Sequence, residues 1–291
     1  MSFDALIDLF AQAWPALLSL DAARNVGVIA GVLLLVAGVL RLTRWRGRIQ
    51  DYRPRLADYG RELGYLALTA FVFGLVGFGT FVGMQFGVLR IVAASPGDDV
   101  ASLVVGSVVL IVAHDAYFYW THRLMHHPRL FRFFHRGHHR SRAPTVLAAY
   151  AFGWPEAIVQ AAFVPLMAFL MPVHATALMV FLSFMIVRNA VGHSGVELYP
   201  RWFGTSPLTA WNTTVTHHDL HHQHGDANFG LYFRWWDRLM GTEHPDYAAR
   251  FEQATRRRAA QPGGVVRGQR RWTTRPESSV SARPSSLQKA R

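Results

Sequence analysis

Long apolar stretches alternate with short polar or Arg-rich segments along this chain. The first stretch, VGVIAGVLLLVAGVL, covers residues 26–40, and residues 63–89 form a second one almost without charge. Three more lie at residues 100–113, 146–170 and 175–187. Several of these stretches approach the roughly 20 residues that span a bilayer as a helix. The pattern therefore predicts a polytopic membrane protein with four or five membrane-spanning helices.

The predicted spans run at about residues 24–43, 63–92, 100–120, 146–170 and 175–192. The loop RLTRWRGRIQDYRPR after the first span carries six Arg, so the positive-inside rule places it in the cytoplasm. Counting spans from there puts the SPGDD turn and the Met171-Pro172 turn outside, and the histidine-rich segments that follow the third and fifth spans inside. We therefore expect an all-α fold, a polytopic helical bundle with a cytoplasmic histidine-rich helical cap.

Composition divides the chain into three parts. Residues 1–95 would hold an N-terminal amphipathic helix and the first two spans, residues 96–250 a histidine-rich domain, and residues 251–291 a basic tail. Residues 256–291 contain ten Lys or Arg and one Glu, so they supply +9 of the net charge of +12. Their Arg, Ser, Pro and Gly content predicts disorder. The N-terminus has no basic segment before its apolar run, so we expect no secretory signal peptide.

Composition also excludes several function classes. The chain has no Cys, which removes disulfides, thiolate zinc sites and Cys-ligated iron–sulfur clusters. Histidine is then the dominant candidate metal ligand. No basic and aromatic patch lies on a recognisable nucleic-acid-binding module, so we expect no nucleic-acid partner.

Histidines concentrate in three short boxes. They read His122-x3-His126, His135-x2-His138-His139 and His218-x2-His221-His222. Residues three or four apart share one face of a helix, so each box presents imidazoles side by side. Neutral imidazole is a ligand for iron, zinc and copper. Eight histidines are too many for one ion, and the boxes therefore predict a two-metal centre.

The remaining histidines have weaker signals. His193 ends the fifth span at the same predicted depth as the boxes, and we expect it to be a ninth ligand. His127 could replace His126 in the first box. His114 lies two helical turns before His122, so it and His217 are alternatives for ligation or for orienting a ligand. We expect no metal role for three others: His224 and His244 as loop residues, and His174 because it lies on the opposite side of the membrane.

These boxes resemble the fatty acid hydroxylase/sterol desaturase superfamily of membrane non-haem di-iron enzymes. The short gap between the first two boxes and the segments DAYFYWTHR, NFG and WDRLMGT add to the likeness, which covers about residues 100–245. The resemblance implies that residues 96–250 form a catalytic domain with two iron ions and O2 as co-substrate. The domain would hydroxylate or desaturate a C–H bond of a lipid. The implied metal ligands are His122, His126, His135, His138, His139, His193, His218, His221 and His222.

The resemblance has further implications. Some members carry a paired His-x3-His between boxes two and three, whereas His193 here has Asn189 and Glu197 at the corresponding offsets. One metal would then take another ligand, such as water or Asn189. Carboxylates that could orient ligand imidazoles are Asp115, Asp219 and Asp226. Some relatives are fused to a haem electron-transfer domain. Because no such domain is recognisable here, we expect a separate reductase or ferredoxin-like electron donor.

Two other function classes remain as alternatives. A histidine-rich zinc hydrolase of the membrane would place a general-base Glu beside its ligands, but the chain contains no His-Glu-x-x-His. A metal transporter would bind its ion near the membrane midplane, whereas the boxes lie at the predicted cytoplasmic ends of spans. The boxes leave open which lipid is the substrate and whether it is hydroxylated or desaturated.

Overall fold

A computed structural model describes residues 48–52, 54–93 and 99–259, together with seven isolated positions before residue 48. Apart from those isolated positions, the predicted N-terminal amphipathic helix and the predicted first span at 24–43 lie outside the described residues, as do residues 260–291. The described part is mostly helical, in agreement with the all-α prediction.

Three helices in the described part are long and apolar enough to cross a membrane. They are α1 (Leu56–Gln85), α2 (Val100–Met125) and α7 (Ala175–Gly192). At 1.5 Å of rise per residue they measure about 45, 39 and 27 Å, against a hydrocarbon core of about 30 Å. Helix α2 continues past the predicted end at residue 120 and carries the first histidine box on its last turns.

Helices α2 and α7 pack closely against each other. Leu110 of α2 lies in one buried cluster with Ala177 and Phe181 of α7. Gly106 allows the close approach, because a Cβ atom there would lie only 3.3 Å from the Cβ of Ala177. A short parallel strand pair, β1 (Ile91–Val92) and β2 (Val173–His174), joins the segments at the ends of these helices that lie away from the histidine boxes.

The apolar stretch at 146–170 does not form the one continuous helix that the sequence predicts. It begins with a 3₁₀ turn (Val146–Tyr150) and continues as two short helices, α5 (Trp154–Ala161) and α6 (Phe163–Leu170). Pro165 has no N–H to donate to the carbonyl four residues earlier, which accounts for the break between α5 and α6. The described part therefore has three candidate spans, and 154–170 is a shorter apolar segment.

Short helices build the histidine-rich region. They are α3 (Pro128–Phe134), α4 (Arg136–His139), α8 (Val215–His224), α9 (Trp235–Met240) and α10 (Tyr247–Ala259). Helix α10 includes residues 251–259, which the sequence analysis assigned to the basic tail. Phe251 of α10 packs with Tyr247 and with Leu220 of α8, so apolar burial orders this part of the predicted tail.

Candidate metal centre

All nine histidines that were predicted as ligands lie in two groups. The five-histidine cluster consists of His122, His126, His135, His139 and His221, and the four-histidine cluster of His138, His193, His218 and His222. Within each cluster the candidate ligand atoms lie within 4.8 Å of one another. The structure thus brings together two sets of imidazoles, each large enough to hold one metal ion.

Helix geometry divides the second and third boxes between the two clusters. Successive residues of a helix point about 100° apart, so the adjacent His138 and His139 of α4 enter different clusters. On α8, His218 and His222 share a face and enter the four-histidine cluster, while His221 enters the other. The histidines of one sequence box therefore do not all enter the same cluster, because the second and third boxes each contribute to both clusters.

The two clusters are direct neighbours. The rings of His139 and His222 stack with centroids 4.9 Å apart, and those of His135 and His138 stack at 5.0 Å. Each stacked pair joins a ring of one cluster to a ring of the other. Ions held by the two clusters would accordingly belong to one dinuclear centre.

Contacts between ring nitrogens test whether a cation fits. The Nε2 atoms of His122 and His135 are 2.9 Å apart, and His193 Nε2 lies 3.0 Å from His218 Nε2 and 3.3 Å from His138 Nε2. Two ligands about 2.1 Å from one ion and at right angles to each other are about 3.0 Å apart. The observed separations are therefore those of neighbouring ligands around a single metal ion.

Backbone carbonyls fix which nitrogen faces the cluster. His122 Nδ1 lies 2.9 Å from the carbonyl oxygen of Phe229, and His221 Nδ1 lies 2.7 Å from that of Ala227. His193 Nδ1 has the same relation to the Asn189 carbonyl, at 2.9 Å. Because a carbonyl only accepts, each Nδ1 carries the proton and each Nε2 keeps a lone pair for a metal.

The loop that follows α8 carries two of these carbonyls, those of Ala227 and Phe229, and several hydrogen bonds hold it in place. The Asp237 carboxylate accepts from the backbone N–H groups of Phe229 and Gly230, both at 2.9 Å. Asn228 adopts a positive φ of 59°, and its side-chain amide donates to the His217 carbonyl. A Cβ atom at residue 230 would lie 2.5 Å from the Phe233 carbonyl oxygen, so only glycine fits. The NFG and WDRLMGT segments thus position the carbonyls that hold His122 and His221.

Glu156 is a site residue that the sequence analysis missed. One of its carboxylate oxygens lies 2.6 Å from His135 Nδ1, although the two groups are not aligned as a hydrogen bond. Both side chains are almost fully buried. The signal was present, since Glu156 is the one charged residue of the apolar stretch 146–170, and an ionisable residue in such a stretch usually has a functional partner.

The three alternative histidines lie outside both clusters. His114 Nδ1 is 3.0 Å from the Tyr232 hydroxyl, deep among aromatic rings. His127 is exposed and accepts from the Arg129 backbone N–H at the start of α3. His217 is buried, with its Nε2 atom 3.5 Å from an Asp237 oxygen. His126, rather than His127, is therefore the first-box histidine that joins a cluster.

The carboxylates nominated to orient the ligands have other partners. Asp115 accepts from the backbone N–H groups of Tyr232 and Phe233, and Asp219 accepts from Gln50 and Gln223. Asp226 is exposed. Backbone carbonyls, rather than these three carboxylates, accept from the outer nitrogens of His122, His193 and His221, and Glu156 lies close to that of His135.

Asn189 and Glu197 stand at the offsets where some superfamily members carry a second histidine beside the equivalent of His193. Both make hydrogen bonds that support the fold. The Asn189 amide donates to the Ala149 carbonyl at 2.6 Å, and the buried Glu197 accepts from the backbone N–H and hydroxyl of Thr216. These contacts occupy the Asn189 amide nitrogen and the Glu197 carboxylate. The four-histidine cluster has one histidine fewer than its neighbour.

Burial keeps these imidazoles in the neutral form that can bind metal. Loss of solvation, with smaller contributions from neighbouring histidines, lowers the pKa of His139 to about 3 and that of His193 to about 4. The same cause lowers the pKa values of His138 and His221 well below the usual range. The lone pairs of the clusters are thus available at neutral pH.

The segment that contains the histidine boxes is also the part of the chain that is similar to known proteins. A family model described as Fatty acid hydroxylase matches residues 107–242. The chain is similar to the Delta(7)-sterol 5(6)-desaturase of Gibberella zeae, with 29% identity over 140 residues, 48% of this chain and 42% of the relative. It is also similar to the C-4 methylsterol oxidase of Schizosaccharomyces pombe, with 34% identity over 134 residues, 44% of each chain.

A human protein is also similar to part of this chain. The lathosterol oxidase of Homo sapiens is 31% identical over 143 residues, 48% of this chain and 45% of the relative. The matched segments thus span less than half the length of each of these relatives. No solved structure matches the chain.

Proposed function

Because a family model described as Fatty acid hydroxylase matches residues 107–242, we propose that the protein is a member of the fatty acid hydroxylase/sterol desaturase superfamily. It would be a membrane-bound, O2-dependent oxidoreductase that hydroxylates or desaturates a C–H bond of a lipid. The proposal depends on one observation above all: nine histidines, grouped as two adjacent ligand sets. When bound there, two iron ions would activate O2, which is the oxidant that an unactivated C–H bond requires.

The donor set supports iron over zinc. Five histidines exceed the four ligands of a tetrahedral structural zinc site, and imidazole suits iron as well. Neither cluster includes a carboxylate among the described residues. Glu156 lies at His135 Nδ1, on the side of the ring away from its cluster-facing Nε2, which is the wrong side for a base acting on a metal-bound water. The zinc hydrolase alternative therefore lacks its general base.

The position of the clusters disfavours a transporter. His122 and His126 lie at the end of α2, and His193 directly follows α7. Transport sites usually lie near the middle of the membrane, between discontinuous helices. Clusters at helix ends can instead receive a lipid from the membrane and electrons from the aqueous side.

The chain's own groups would control what reaches the centre. Seven of the nine ligands are buried, and aromatic rings such as Phe118, Phe152 and Phe229 cover them, so bulk water is excluded. The orientation inferred from the Arg-rich loop at residues 41–55 would expose the histidine region to the cytoplasm. There, a separate reductase or ferredoxin-like donor would supply the electrons.

The decisive experiment measures metal and turnover together. The full-length protein, purified in detergent, is expected to hold two irons per chain and to consume O2 in the presence of reductant and membrane lipid extract. His127→Ala, which changes an exposed histidine outside the clusters, serves as the matched control and should keep both irons. Stoichiometric zinc without O2 consumption would refute the proposal.

A further inference from the structure

One face of α1 contacts the chain that follows the second histidine box. Helix α1 itself lies outside residues 107–242, the segment that matches the family model. Its residues Glu62 and Thr69 are about two helical turns apart, so they share a face. Both are buried, with 1% of each residue exposed. Buried polar groups are costly unless they have hydrogen-bond partners, and the partners of these two residues lie in one short segment.

That segment, which we call the strap, consists of residues 140–153 between α4 and α5. Apart from the 3₁₀ turn it has no regular secondary structure, so its position depends on contacts with its neighbours. Near its start, the Glu62 carboxylate accepts hydrogen bonds from the Ser141 hydroxyl, at 2.7 Å, and from the Thr145 hydroxyl. Glu62 therefore fixes the strap to α1 directly after the second histidine box.

Thr69 holds the end of the strap. Its hydroxyl accepts a hydrogen bond from the Phe152 backbone N–H, at 3.1 Å, and donates one to the Phe152 carbonyl, at 3.3 Å. A hydroxyl can do both because it has one proton and two lone pairs. Valine has nearly the same shape as threonine but could do neither. The Thr69 hydroxyl therefore fixes the backbone of Phe152.

The end of the strap lies against the candidate ligand His138. The centroid of the Phe152 ring is 5.4 Å from that of His138, and the carbonyl of the preceding Ala151 also lies close to the His138 ring. Gly137, directly before His138, lies against α1, since a Cβ atom there would be 3.3 Å from the Tyr65 hydroxyl oxygen. Contacts around His138 thus come from segments that α1 holds.

The strap should affect the two clusters unequally. His138 belongs to the four-histidine cluster. In the five-histidine cluster, carbonyls of the loop that follows α8 hold His122 and His221 instead. Loss of the Thr69 hydroxyl should therefore disturb one cluster and spare the other.

We propose that Thr69 is a positioning residue for His138. By holding Phe152 and Ala151 against the ring, with Glu62 fixing the start of the strap, it increases the affinity of the four-histidine cluster for its metal ion. Groups that orient a ligand without touching the metal act on affinity in this way. That the ion is iron rests on the proposed function, whereas the positioning applies to any divalent ion that imidazole binds.

Two threonines of α1 offer a matched test. Thr69→Val removes the hydroxyl that holds the strap, and Thr80→Val removes one that donates to the Val76 carbonyl of its own helix. The iron-loaded full-length protein, purified in detergent, is titrated with EDTA, and the iron that remains bound is counted. In Thr69→Val we expect the first iron to leave at an EDTA concentration about tenfold lower than in the wild-type protein, the lower limit for such outer contacts. The second iron should leave at the wild-type concentration, and Thr80→Val should behave as the wild-type protein.

Two further variants separate the hydroxyl from the fold. Thr69→Ser keeps the hydroxyl and should retain both irons as the wild-type protein does. Glu62→Gln, at the other end of the strap, exchanges one acceptor oxygen for a donor and should loosen the same first iron severalfold.

A purely structural role of Thr69 would loosen both irons to the same extent. That result, an unchanged first iron in Thr69→Val, or a loosened one in Thr69→Ser would overturn the proposal. If Thr69→Val does not fold, an unchanged first iron in Glu62→Gln overturns it.

Zinc-loaded protein, titrated in parallel, separates this proposal from the previous one. If the wild-type protein binds two zinc ions but no iron, and Thr69→Val loosens only one of them, the proposed function is refuted and the positioning role stands. Two irons with O2-dependent turnover, both held equally by the wild-type protein and by Thr69→Val, would refute the positioning role alone.

Discussion

The two histidine clusters differ in how the surrounding chain holds their rings. In the five-histidine cluster, carbonyls fix His122 and His221, and Glu156 lies against His135. In the four-histidine cluster, a carbonyl fixes His193. The Nδ1 atoms of His218 and His222 are buried and have no hydrogen-bond partner among the described residues, and in the five-histidine cluster His135 Nδ1 has only its unaligned contact with Glu156. Carbonyls thus fix two rings of the five-histidine cluster and one of the other.

The difference indicates that similar ligands can make unequal metal sites. A ring whose outer nitrogen is hydrogen-bonded is held in the tautomer and orientation that binding requires. A ring without that bond loses more rotational freedom when it binds a metal ion. With one ligand fewer and less support, the four-histidine cluster should bind its ion more weakly and leave one more position open to an exogenous ligand.

The largest expected effect comes from removing one ligand of each cluster. His135→Ala should empty the five-histidine cluster and His218→Ala the four-histidine cluster, each variant retaining one iron per chain. Both should lose turnover, because the proposed chemistry needs both ions. Metal analysis with Mössbauer spectroscopy checks the remaining ion. Loss of both irons from each variant would mean that the clusters do not bind independently.

Asp237→Asn should weaken only the five-histidine cluster. The substitution disturbs the loop whose carbonyls hold His122 and His221, and changes in such outer contacts reduce metal affinity about 10- to 100-fold. Asp219→Asn is the matched control, since Asp219 is an equally buried carboxylate that contacts two glutamines instead. Competition with a chelator measures both affinities. Equal losses from the two variants would contradict a positioning role.

Chelation of the wild-type protein should remove its ions in sequence. We expect the ion of the four-histidine cluster to leave first, severalfold faster. That cluster has one ligand fewer, and carbonyls fix fewer of its rings. The order is measured by stopping the chelation at a series of times and recording the spectrum of the ion that remains. Release in the reverse order would show that the hydrogen bonds do not control retention.

The smallest effect concerns pH and the metal-free protein. The folded-state pKa of His139 is about 3 and that of His193 about 4, below the 6.5 of an unfolded chain. The unfolded state therefore binds more protons, and the stability present above pH 6.5 is lost as the pH falls toward these values. At pH 5 each such histidine lowers the free energy of unfolding by about 2 kcal/mol relative to its value above pH 6.5. Thermal unfolding of the metal-free protein should therefore occur at a lower temperature at pH 5 than at pH 7.

A single variant isolates one contribution to this pH dependence. His139→Gln should flatten the dependence, because one proton fewer is taken up on unfolding. Asp219 works in the opposite direction, since burial raises its pKa to about 6, but the histidines outnumber it. An unchanged slope in His139→Gln would show that His139 is already protonated in the folded state.

Sequence patterns predicted the long elements well and the broken ones poorly. Uniform apolar character identified the helices that became α1, α2 and α7, because length and hydropathy are local properties. The stretch at 146–170 has the same character but is broken near Pro165, and its Glu156 side chain contacts His135. Residues 251–259 were assigned to a disordered tail, yet Phe251 packs against Leu220 and orders them.

What the sequence determined by itself is the set of histidines: three- and four-residue spacings on helices that must present imidazoles side by side. Only the tertiary structure decided how they are divided, because the clusters combine rings from helices far apart in the chain. It also decided which groups hold the rings. Backbone carbonyls such as that of Phe229 carry no residue-specific signal, and their positions depend on long-range contacts such as those of Asp237. The same holds for the strap, which Thr69 of a distant helix holds against His138.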